Sequence, residues 1–342
     1  MKPKNTVRFC ADCSLPAQVA AVVVTYNRKT LLLDCLEALL GQTRPVDMIL
    51  LVDNASTDGT YELLAERGYL QNPRIQYRKL LVNEGGAGGF HAGTKWGHEE
   101  GYDWLWLMDD DSKPMPDALE NLAKHFDQPS AVALVSAMTR PDGVLVYGCG
   151  KLKPCQFGMG FGRPITDTDV ASVTALSVDF TTFVGLLVRR AVIDQVGFPA
   201  KEFFLRGDDT EYCARLRRYG NIFLILDSRI VHQEGQMKQV RWNKRFGRSS
   251  PRCSYENLWL AYFAPRNGVW LRLYCFMGRP RLIMGPVVLL SILVAYLRCI
   301  VGILLYDDHK RARIRFFSHA FYDGLKSNWD NQKPRKLLIL DS

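Results

Sequence analysis

The stretch WLWLMDDDS, residues 104–112, contains the transition that decides how this chain folds. Its apolar and aromatic first half predicts a buried β-strand, because such residues fit a pleated, buried surface. Three adjacent aspartates follow, and they cannot continue into an apolar core. The strand is therefore expected to end at Asp109, at the edge of a cleft.

The spacing of these aspartates suggests a chemical role. Successive side chains of an extended chain point to opposite sides, so Asp109 and Asp111 can face one way and Asp110 the other. Two convergent carboxylates suit a hard divalent cation such as Mg²⁺ or Mn²⁺. An acidic turn that caps a helix starting near Pro114 is the alternative interpretation, and the stretch alone does not decide between the two.

Strand and helix patterns alternate on both sides of this stretch. The β-branched run Gln18–Thr25 and the segment Met48–Val52 read as strands buried on both faces, whereas Arg28–Leu40 has apolar residues at helical spacing. Arg74–Tyr77 is predicted to be the third strand. This alternation predicts an α/β fold with a parallel sheet covered on both faces. Ligands of such sheets bind at the carboxyl ends of the strands, where Asp53 and the Asp triplet fall.

A glycine-rich segment, NEGGAGGF at 83–90, falls at the same edge of the predicted sheet. It lacks the third glycine of the dinucleotide fingerprint, because His91 stands there, and it follows the third strand instead of the first. A Rossmann cofactor site is therefore not expected. We expect a loop whose glycines let a ligand approach the backbone, with a flexible turn as the alternative.

Three further polar residues are candidates for chemistry. Asp208 and Asp209 stand at the start of a predicted helix, where they either cap the helix or supply a general base. His232 follows a predicted strand. A lone histidine is usually structural, but beside a carboxylate pair it becomes a plausible third metal ligand.

The last third of the chain differs in charge and in hydropathy. From Lys238 onward there are 19 Lys and Arg against six Asp and Glu, within a total net charge of +9. Leu282–Leu297 carries no charge, which is short for a simple span of roughly 20 residues. We expect this basic, apolar region to associate with an anionic membrane surface, with a buried core or dimer helix as the alternative. A nucleic-acid partner is not expected, because no nucleic-acid-reading motif is present.

Taken together, these motifs resemble family 2 glycosyltransferases with the GT-A fold. The resemblance covers roughly residues 18–235 and extends to bacterial galactofuranosyltransferases and rhamnosyltransferases. It rests on segments that occur in the family's order and spacing, namely VVVTYNR at 22–28, VDNASTDG at 52–59, the glycine-rich segment, the Asp triplet and GDDTE at 207–211, with an Arg266-Asn267 pair after an aromatic helix.

The resemblance implies a role for each matching residue. Asp209 would be the catalytic base, with Asp208 beside it in place of the family's glutamate. Asp109, Asp111 and His232 would hold Mn²⁺ or Mg²⁺. The nucleotide-sugar donor, linked to UDP or dTDP, would be bound by Thr25, Asn27, Arg28, Asp53, Asn83, Gly85, Gly86, Gly88, Gly89 and Asp110.

The same resemblance implies a mostly parallel, mixed sheet and three parts of the chain. These are an N-terminal arm at 1–16, a GT-A catalytic domain at 17–236 and a helical, membrane-associating region at 237–342. No signal peptide opens the chain, so we expect the body to work at the cytoplasmic face of the plasma membrane, as a peripheral or monotopic protein. Cys10 and Cys13 form a single CxxC, which does not make a zinc site alone.

We therefore predict an inverting, metal-dependent enzyme that transfers a sugar, with galactofuranose favoured, to a lipid-linked glycan of a bacterial surface polysaccharide or cell wall. A dTDP-rhamnose-dependent rhamnosyltransferase is the alternative within the family. A non-catalytic scaffold that binds nucleotide-sugars is the alternative of another class. The acidic residues and His232 argue against the scaffold, because a binding protein does not need a base.

Overall fold

A computed structural model of the chain describes residues 16–146, 148–152, 162–233, 240–245, 248–275 and 281–339. The predicted N-terminal arm lies outside these residues apart from Pro16, and so does the Cys10–Cys13 pair. The chain divides into two compact units. The first comprises residues 1–151, 164–201 and 208–235, and the second comprises 152–163, 202–207 and 236–342. Two short segments inside the predicted catalytic domain thus belong to the second unit.

The strands alternate with helices through the first unit, as the sequence pattern predicts. In chain order the strands are β1 (Val19–Thr25), β2 (Met48–Asp53), β3 (Ile75–Lys79), β4 (Trp104–Asp109), β5 (Ser112–Pro114), β6 (Ala131–Thr139), β7 (Leu145–Val146), β8 (Gly150–Leu152), β9 (Gly162–Pro164), β10 (Ala175–Val178), β11 (Leu186–Arg189), β12 (Asn221–His232), β13 (Val240–Arg245) and β14 (Arg248–Cys253).

The helices complete the two units. They are α1 (Lys29–Leu40), α2 (Thr60–Glu66), α3 (Gly85–Glu99), α4 (Ala118–Ala123), α5 (Asp167–Val170), α6 (Arg190–Val196), α7 (Asp208–Leu216), α8 (Leu258–Ala261), α9 (Phe263–Trp270), α10 (Arg281–Tyr306), α11 (Lys310–Lys326) and α12 (Lys333–Ile339).

A mixed sheet forms the centre of the first unit, in the order β10-β12-β6-β11-β4-β1-β2-β3, with β5 on β12 and β7 on β6. The pairs of β1 with β2 and β4, of β2 with β3 and of β6 with β12 are parallel. β11 runs antiparallel between β4 and β6. The α/β class and a mostly parallel, mixed sheet are confirmed, and the antiparallel strand β11 in its centre departs from the parallel sheet that the strand–helix alternation alone predicts.

Apolar side chains cover both faces of this sheet. One core contains Val22, Leu107 and Phe90 of α3, and the other contains Val23, Trp106 and Leu36 of α1. Consecutive residues of β1 and β4 thus enter opposite cores, because strand side chains alternate between the two faces. Both faces are buried, which explains why these strands read as continuous apolar runs.

The glycine-rich segment is the main local departure from the sequence prediction. Its glycines are not in a loop, because α3 begins at Gly85 and runs on through them. A Cβ on Gly89 would lie 2.4 Å from Val24 Cγ1, and one on Gly93 would lie 2.3 Å from Val22 Cγ1. One helical turn further on, a Cβ on Gly97 would meet Leu105 Cδ2 at 2.5 Å. These glycines therefore let α3 pack closely on β1 and β4.

Elsewhere the predicted elements differ from the observed ones in their bounds. The strand predicted before His232 is β12, which has an irregular register between Ile225 and Arg229. The uncharged stretch Leu282–Leu297 lies within one continuous helix, α10.

The second unit contains the Arg266-Asn267 pair. Asn267 Nδ2 donates to the carbonyl oxygens of Phe203, Leu205 and Arg206 at 2.7–3.0 Å. Arg266 Nη2 donates to the Phe203 oxygen at 3.0 Å, and burial lowers the pKa of Arg266 to about 10. The pair thus donates hydrogen bonds to the backbone carbonyl oxygens of the short segment that precedes α7 in the chain.

Close packing of α3 on the sheet gives a stability prediction. We expect Gly93→Ala to lower the free energy of unfolding by about 1–3 kcal/mol, because the new methyl group meets the β-branched Val22 with no room to move. Gly86→Ala is the matched control in the same helix, since a Cβ there has no described neighbour within 4 Å. Urea unfolding of the two variants measures the difference, and equal losses would contradict this packing role.

Candidate active site

The carboxyl ends of three neighbouring strands meet in register at one edge of the sheet. Thr25 at the end of β1 pairs with Asp53 at the end of β2, and Val24 pairs with Asp109 at the end of β4. Asp53 and Thr25 are buried. The sheet therefore places the polar residues of all three strand ends beside one another, as the sequence pattern indicates.

Pairing of β5 with β12 brings His232 to the aspartates. His232 lies opposite Ser112 in this antiparallel pair, and the Gln233 backbone N–H donates to the Asp111 carbonyl oxygen at 2.9 Å. His232 Nε2 is 3.1 Å from Asp111 Oδ1. One ligand atom from each of Asp109, Asp111 and His232 lies within 4.8 Å of the others. Two carboxylates and an imidazole at this separation are a fitting donor set for a divalent ion such as Mn²⁺.

Negative charge is concentrated in this cluster with little solvent to screen it. Desolvation, followed by the charges of Asp111 and Asp110, raises the pKa of Asp109 to about 7, although Asp109 keeps partial exposure. Burial also raises the pKa of Asp110 to about 6, against the opposing effects of Arg28 and Thr25. The folded protein therefore holds carboxylates that a cation would stabilise in their ionised form.

Arg28 supplies a positive charge at the rim of the cluster. Its Nη1 lies 2.9 Å from Asp111 Oδ2 and 3.2 Å from Asp110 Oδ1. Burial lowers the pKa of Arg28, but the charges of Asp110 and Asp111 outweigh it and leave the pKa raised. Thr25 Oγ1 donates to Asp110 Oδ2 at 2.7 Å and fixes that carboxylate from the other side. Arg28 and Thr25 together orient Asp110.

A second group of contacts joins the loops after β1 and β2. Asn27 has a positive φ of 53°, and its Oδ1 accepts from the Thr57 backbone N–H at 2.7 Å. Asp53 Oδ1 accepts from the Ser56 backbone N–H at 2.7 Å, and Asp53 Oδ2 accepts from the Tyr77 hydroxyl at 2.6 Å. Burial and the Asp53 carboxylate raise the pKa of Tyr77, which keeps it a hydrogen-bond donor.

The turn before α3 is held by an asparagine that the sequence analysis did not select. Asn54 Nδ2 donates to Asn83 Oδ1 at 3.1 Å and to the Gly85 carbonyl oxygen at 2.8 Å. Its Oδ1 accepts from the Glu84 backbone N–H at 2.9 Å. Tyr77 was also missed. The available signal for both was position, because Asn54 directly follows Asp53 and Tyr77 lies on the strand next to it.

The glycines of this turn differ in what surrounds them. Gly85 has a φ of 73°, which favours glycine at the helix start, and Gly86 is partly exposed. Gly88 is packed against Glu84, whose Cβ would lie 2.3 Å from an added Cβ, and Gly89 is packed against Val24. Gly88 and Gly89 are therefore required by packing, whereas Gly85 and Gly86 lie at the turn that Asn54 and Asn83 hold.

The start of α7 adds two more carboxylates. Asp208 is buried, and its pKa is raised well above the ordinary value by desolvation, then by Asp209, with Asp109 contributing. Asp209 is only half-buried. Because the charge of Asp109 contributes to the raised pKa of Asp208, the start of α7 lies near the cluster of Asp109, Asp111 and His232. All the predicted site residues lie within the first unit.

The raised pKa of Asp109 gives a prediction with a definite sign. A carboxyl group with a folded-state pKa near 7, against 3.8 for its ordinary value, costs the metal-free protein stability as the pH rises from about 4 to about 7. We therefore expect Asp109→Asn to increase the free energy of unfolding at pH 8 without metal, by roughly 1–3 kcal/mol.

Thermal unfolding in the presence of a chelator measures this effect. Asp127→Asn, at an exposed aspartate of the same unit, is the matched control and should leave the unfolding midpoint unchanged. Equal destabilisation of the metal-free protein by Asp109→Asn at pH 8 and at pH 5 would contradict the proposed charge repulsion.

Comparison with known proteins supplies the family. The model of "Glycosyl transferase family 2" matches residues 20–197, more than half of the chain. The galactofuranosyltransferase GlfT1 of Mycolicibacterium smegmatis is 31% identical over 212 residues, covering 59% of this chain and 66% of that protein. The dTDP-rhamnosyl transferase RfbF of Shigella flexneri is 25% identical over 221 residues, covering 64% of this chain and 70% of that protein.

A solved structure supports the fold. The mannosyltransferase PcManGT from Pyrobaculum calidifontis, in complex with GDP-Man and Mn²⁺, superposes with a TM-score of 0.51 at 15% identity, covering 99% of this chain and 90% of that one. The GT-A fold predicted from the sequence motifs is confirmed. The chain is a glycosyltransferase and belongs to glycosyltransferase family 2.

Proposed function

We propose that this protein is an inverting, metal-dependent glycosyltransferase that moves galactofuranose from a UDP-linked donor to a lipid-linked glycan acceptor. The carrying observation is the cluster of Asp109, Asp111 and His232 at the strand ends, with a second pair of carboxylates at the start of α7. One set of residues is suited to hold a cation beside a diphosphate, and the other to accept a proton.

The metal proposal depends on the electrostatics of the cluster. Desolvation, together with the nearby negative charge of Asp111, raises the pKa values of Asp109 and Asp110. Mn²⁺ or Mg²⁺ held by Asp109, Asp111 and His232 would relieve that repulsion and would act as a Lewis acid on the leaving diphosphate. Arg28 pairs with the same carboxylates, so it is placed to turn toward diphosphate oxygens once a cation neutralises Asp111.

We assign the nucleotide part of the donor to the loops that follow β1 and β2, which hydrogen bonds join. Thr25, Asn27 and Asp53 lie together at the ends of β1 and β2, in register with the acidic cluster. Asn83, Gly85 and Gly86 form the turn at the start of α3, which brings backbone close to the same strand ends. Gly88 leaves room for Glu84 at this turn, and Gly89 lets α3 approach β1.

Burial distinguishes the roles of the two aspartates of α7. Asp208 is buried, and desolvation and the charge of Asp209 raise its pKa, which disfavours the ionised form that a general base needs. Asp209 is half-exposed at the same helix start, and we assign it as the general base. The acceptor oxygen would bond to the anomeric carbon as the bond to the diphosphate breaks, while the acceptor proton passes to Asp209. This single displacement inverts the anomeric centre.

Two relatives guide the choice of sugar. Similarity to GlfT1 is greater than similarity to RfbF, so a galactofuranosyl donor is favoured and a dTDP-rhamnosyl donor is the alternative. The acceptor would be a lipid-linked glycan of a bacterial surface polysaccharide or cell wall, met at the cytoplasmic face of the plasma membrane. The basic C-terminal region would raise the local concentration of such an acceptor by docking on anionic lipid.

Nucleotide binding tests the donor assignment. We expect UDP with Mn²⁺ to raise the thermal unfolding midpoint more than dTDP or GDP with Mn²⁺, since a ligand at 100 times its Kd stabilises by about 2.7 kcal/mol. Asp111→Asn should remove the Mn²⁺-dependent part of the shift. A response to dTDP alone would favour the rhamnosyl alternative, and no response to any nucleotide would contradict the donor site.

Separate variants test the base. We expect Asp209→Asn to lower kcat by roughly 10²- to 10⁴-fold, because the acceptor proton loses its destination. The thermal shift with UDP and Mn²⁺ should persist in this variant. Asp208→Asn is the matched comparison at the neighbouring position and should reduce kcat far less. Equal losses in the two variants would contradict the assignment of Asp209.

A further inference from the structure

The apolar helix α10 presents one continuous aliphatic surface to solvent. Its stretch Gly285–Tyr306 is long and apolar enough to cross a membrane. The exposed aliphatic residues, here called the leucine face, are Leu289, Leu290, Leu293, Leu297, Val301, Leu304 and Leu305. Their spacing places them on one side of the helix, over about 24 Å at 1.5 Å per residue.

The opposite side of α10 is covered by the second unit itself. Val288, Ile292 and Ala295 are buried there in a cluster with Val269 of α9 and Phe321 of α11. Half of the circumference of α10 is therefore already engaged with protein. An exposed apolar surface of this length on the other half is unusual for a soluble monomer and marks a binding surface.

A hydrogen bond and a ring contact show that α10 and α11 lie against each other. The Tyr296 and Ser318 hydroxyl groups are 2.9 Å apart, and the Tyr296 and Phe321 rings are 5.2 Å apart. Since α11 begins only four residues after Tyr306, these contacts mean that it folds back along α10.

Charges next to the leucine face indicate what covers it. Arg298 is the only charged residue within 285–306, and it is exposed. Lys310 and Arg311, just beyond the helix, are also exposed. The acidic residue nearest the helix end, Asp307, is buried and paired with Arg252. Aliphatic side chains bordered by cations match the acyl region and anionic headgroups of a phospholipid leaflet.

The structure also constrains the direction of the helix. A helix that crossed the bilayer would take α11 with it, because α11 lies along the covered side. The exposed Lys310, Arg311 and Lys326 and the buried Asp323 of α11 would then enter hydrocarbon, which strongly disfavours charge. A helix lying parallel to the membrane plane avoids this cost and buries only the leucine face.

We infer that α10 is an in-plane membrane anchor, whose leucine face enters one anionic leaflet while its other face stays packed on the second unit. This specifies how the membrane association within the proposed function is made. It is tested by lipid binding alone, so its failure and the failure of the transfer reaction are distinguishable.

Vesicle sedimentation tests the surface. We expect the intact protein to sediment with phosphatidylglycerol-containing vesicles, and the double variant Leu293→Gln/Leu297→Gln to partition at least about tenfold more weakly. Leu81→Gln, at a 99% exposed leucine of the first unit, is the matched control and should bind as the unchanged protein does. Circular dichroism verifies that each variant is folded. Equal binding by the double variant and the unchanged protein would overturn the inference.

Depth measurements test the orientation. An environment-sensitive fluorescent amino acid at position 290, 297 or 304, one per variant, reports depth through quenching by nitroxide-labelled lipids. Equal depth at all three positions supports an in-plane helix, and a graded depth would overturn it in favour of a span. Absence of vesicle binding, together with a concentration-dependent dimer that the double variant abolishes, would assign the leucine face to a second copy of the chain and overturn the inference.

Discussion

Buried negative charge at the end of β4 is the constraint on which the candidate site depends. A strand that carries Trp106 and Met108 in the core delivers Asp109 directly to a cleft, and two more aspartates follow. Desolvation and mutual repulsion raise the pKa of Asp109 to about 7, so the cluster is costly unless a cation joins it. Arg28 supplies one positive charge, and the ligand atoms of Asp109, Asp111 and His232 lie close enough together for a cation to bind them.

The rest of the first unit positions other groups around that charge. Parallel register of β1, β2 and β4 places Thr25 and Asp53 beside the cluster, whereas the antiparallel pairing of β5 with β12 brings His232 to Asp111. Small residues at Gly89 and Gly93 bring α3 onto β1, so the turn before it reaches the same edge. β12 runs parallel to β6, and its pairing with β5 places His232 next to Asp111 at that edge.

The sequence predicted those features that depend on local pattern. Strand ends follow from where apolar runs stop, so Asp53 and Asp109 were placed correctly at the sheet edge. The approach of His232 to Asp111 depends on a long-range antiparallel pair, and the residues alone made it only plausible. Tyr77 and Asn54 escaped notice because their hydrogen bonds join separate loops, which no periodicity records. The glycines of α3 were taken for a loop because glycine composition does not distinguish a turn from a closely packed helix.

Anomalous diffraction from manganese, in crystals grown with UDP and Mn²⁺, would show whether the buried carboxylates hold a cation. We expect a single strong anomalous peak ligated by Asp109, Asp111 and His232, next to the diphosphate of the nucleotide. Bound UDP with no manganese at these side chains, or manganese held elsewhere in the protein, would contradict it. The first result would show that the buried charge at the end of β4 exists to hold the donor through a cation.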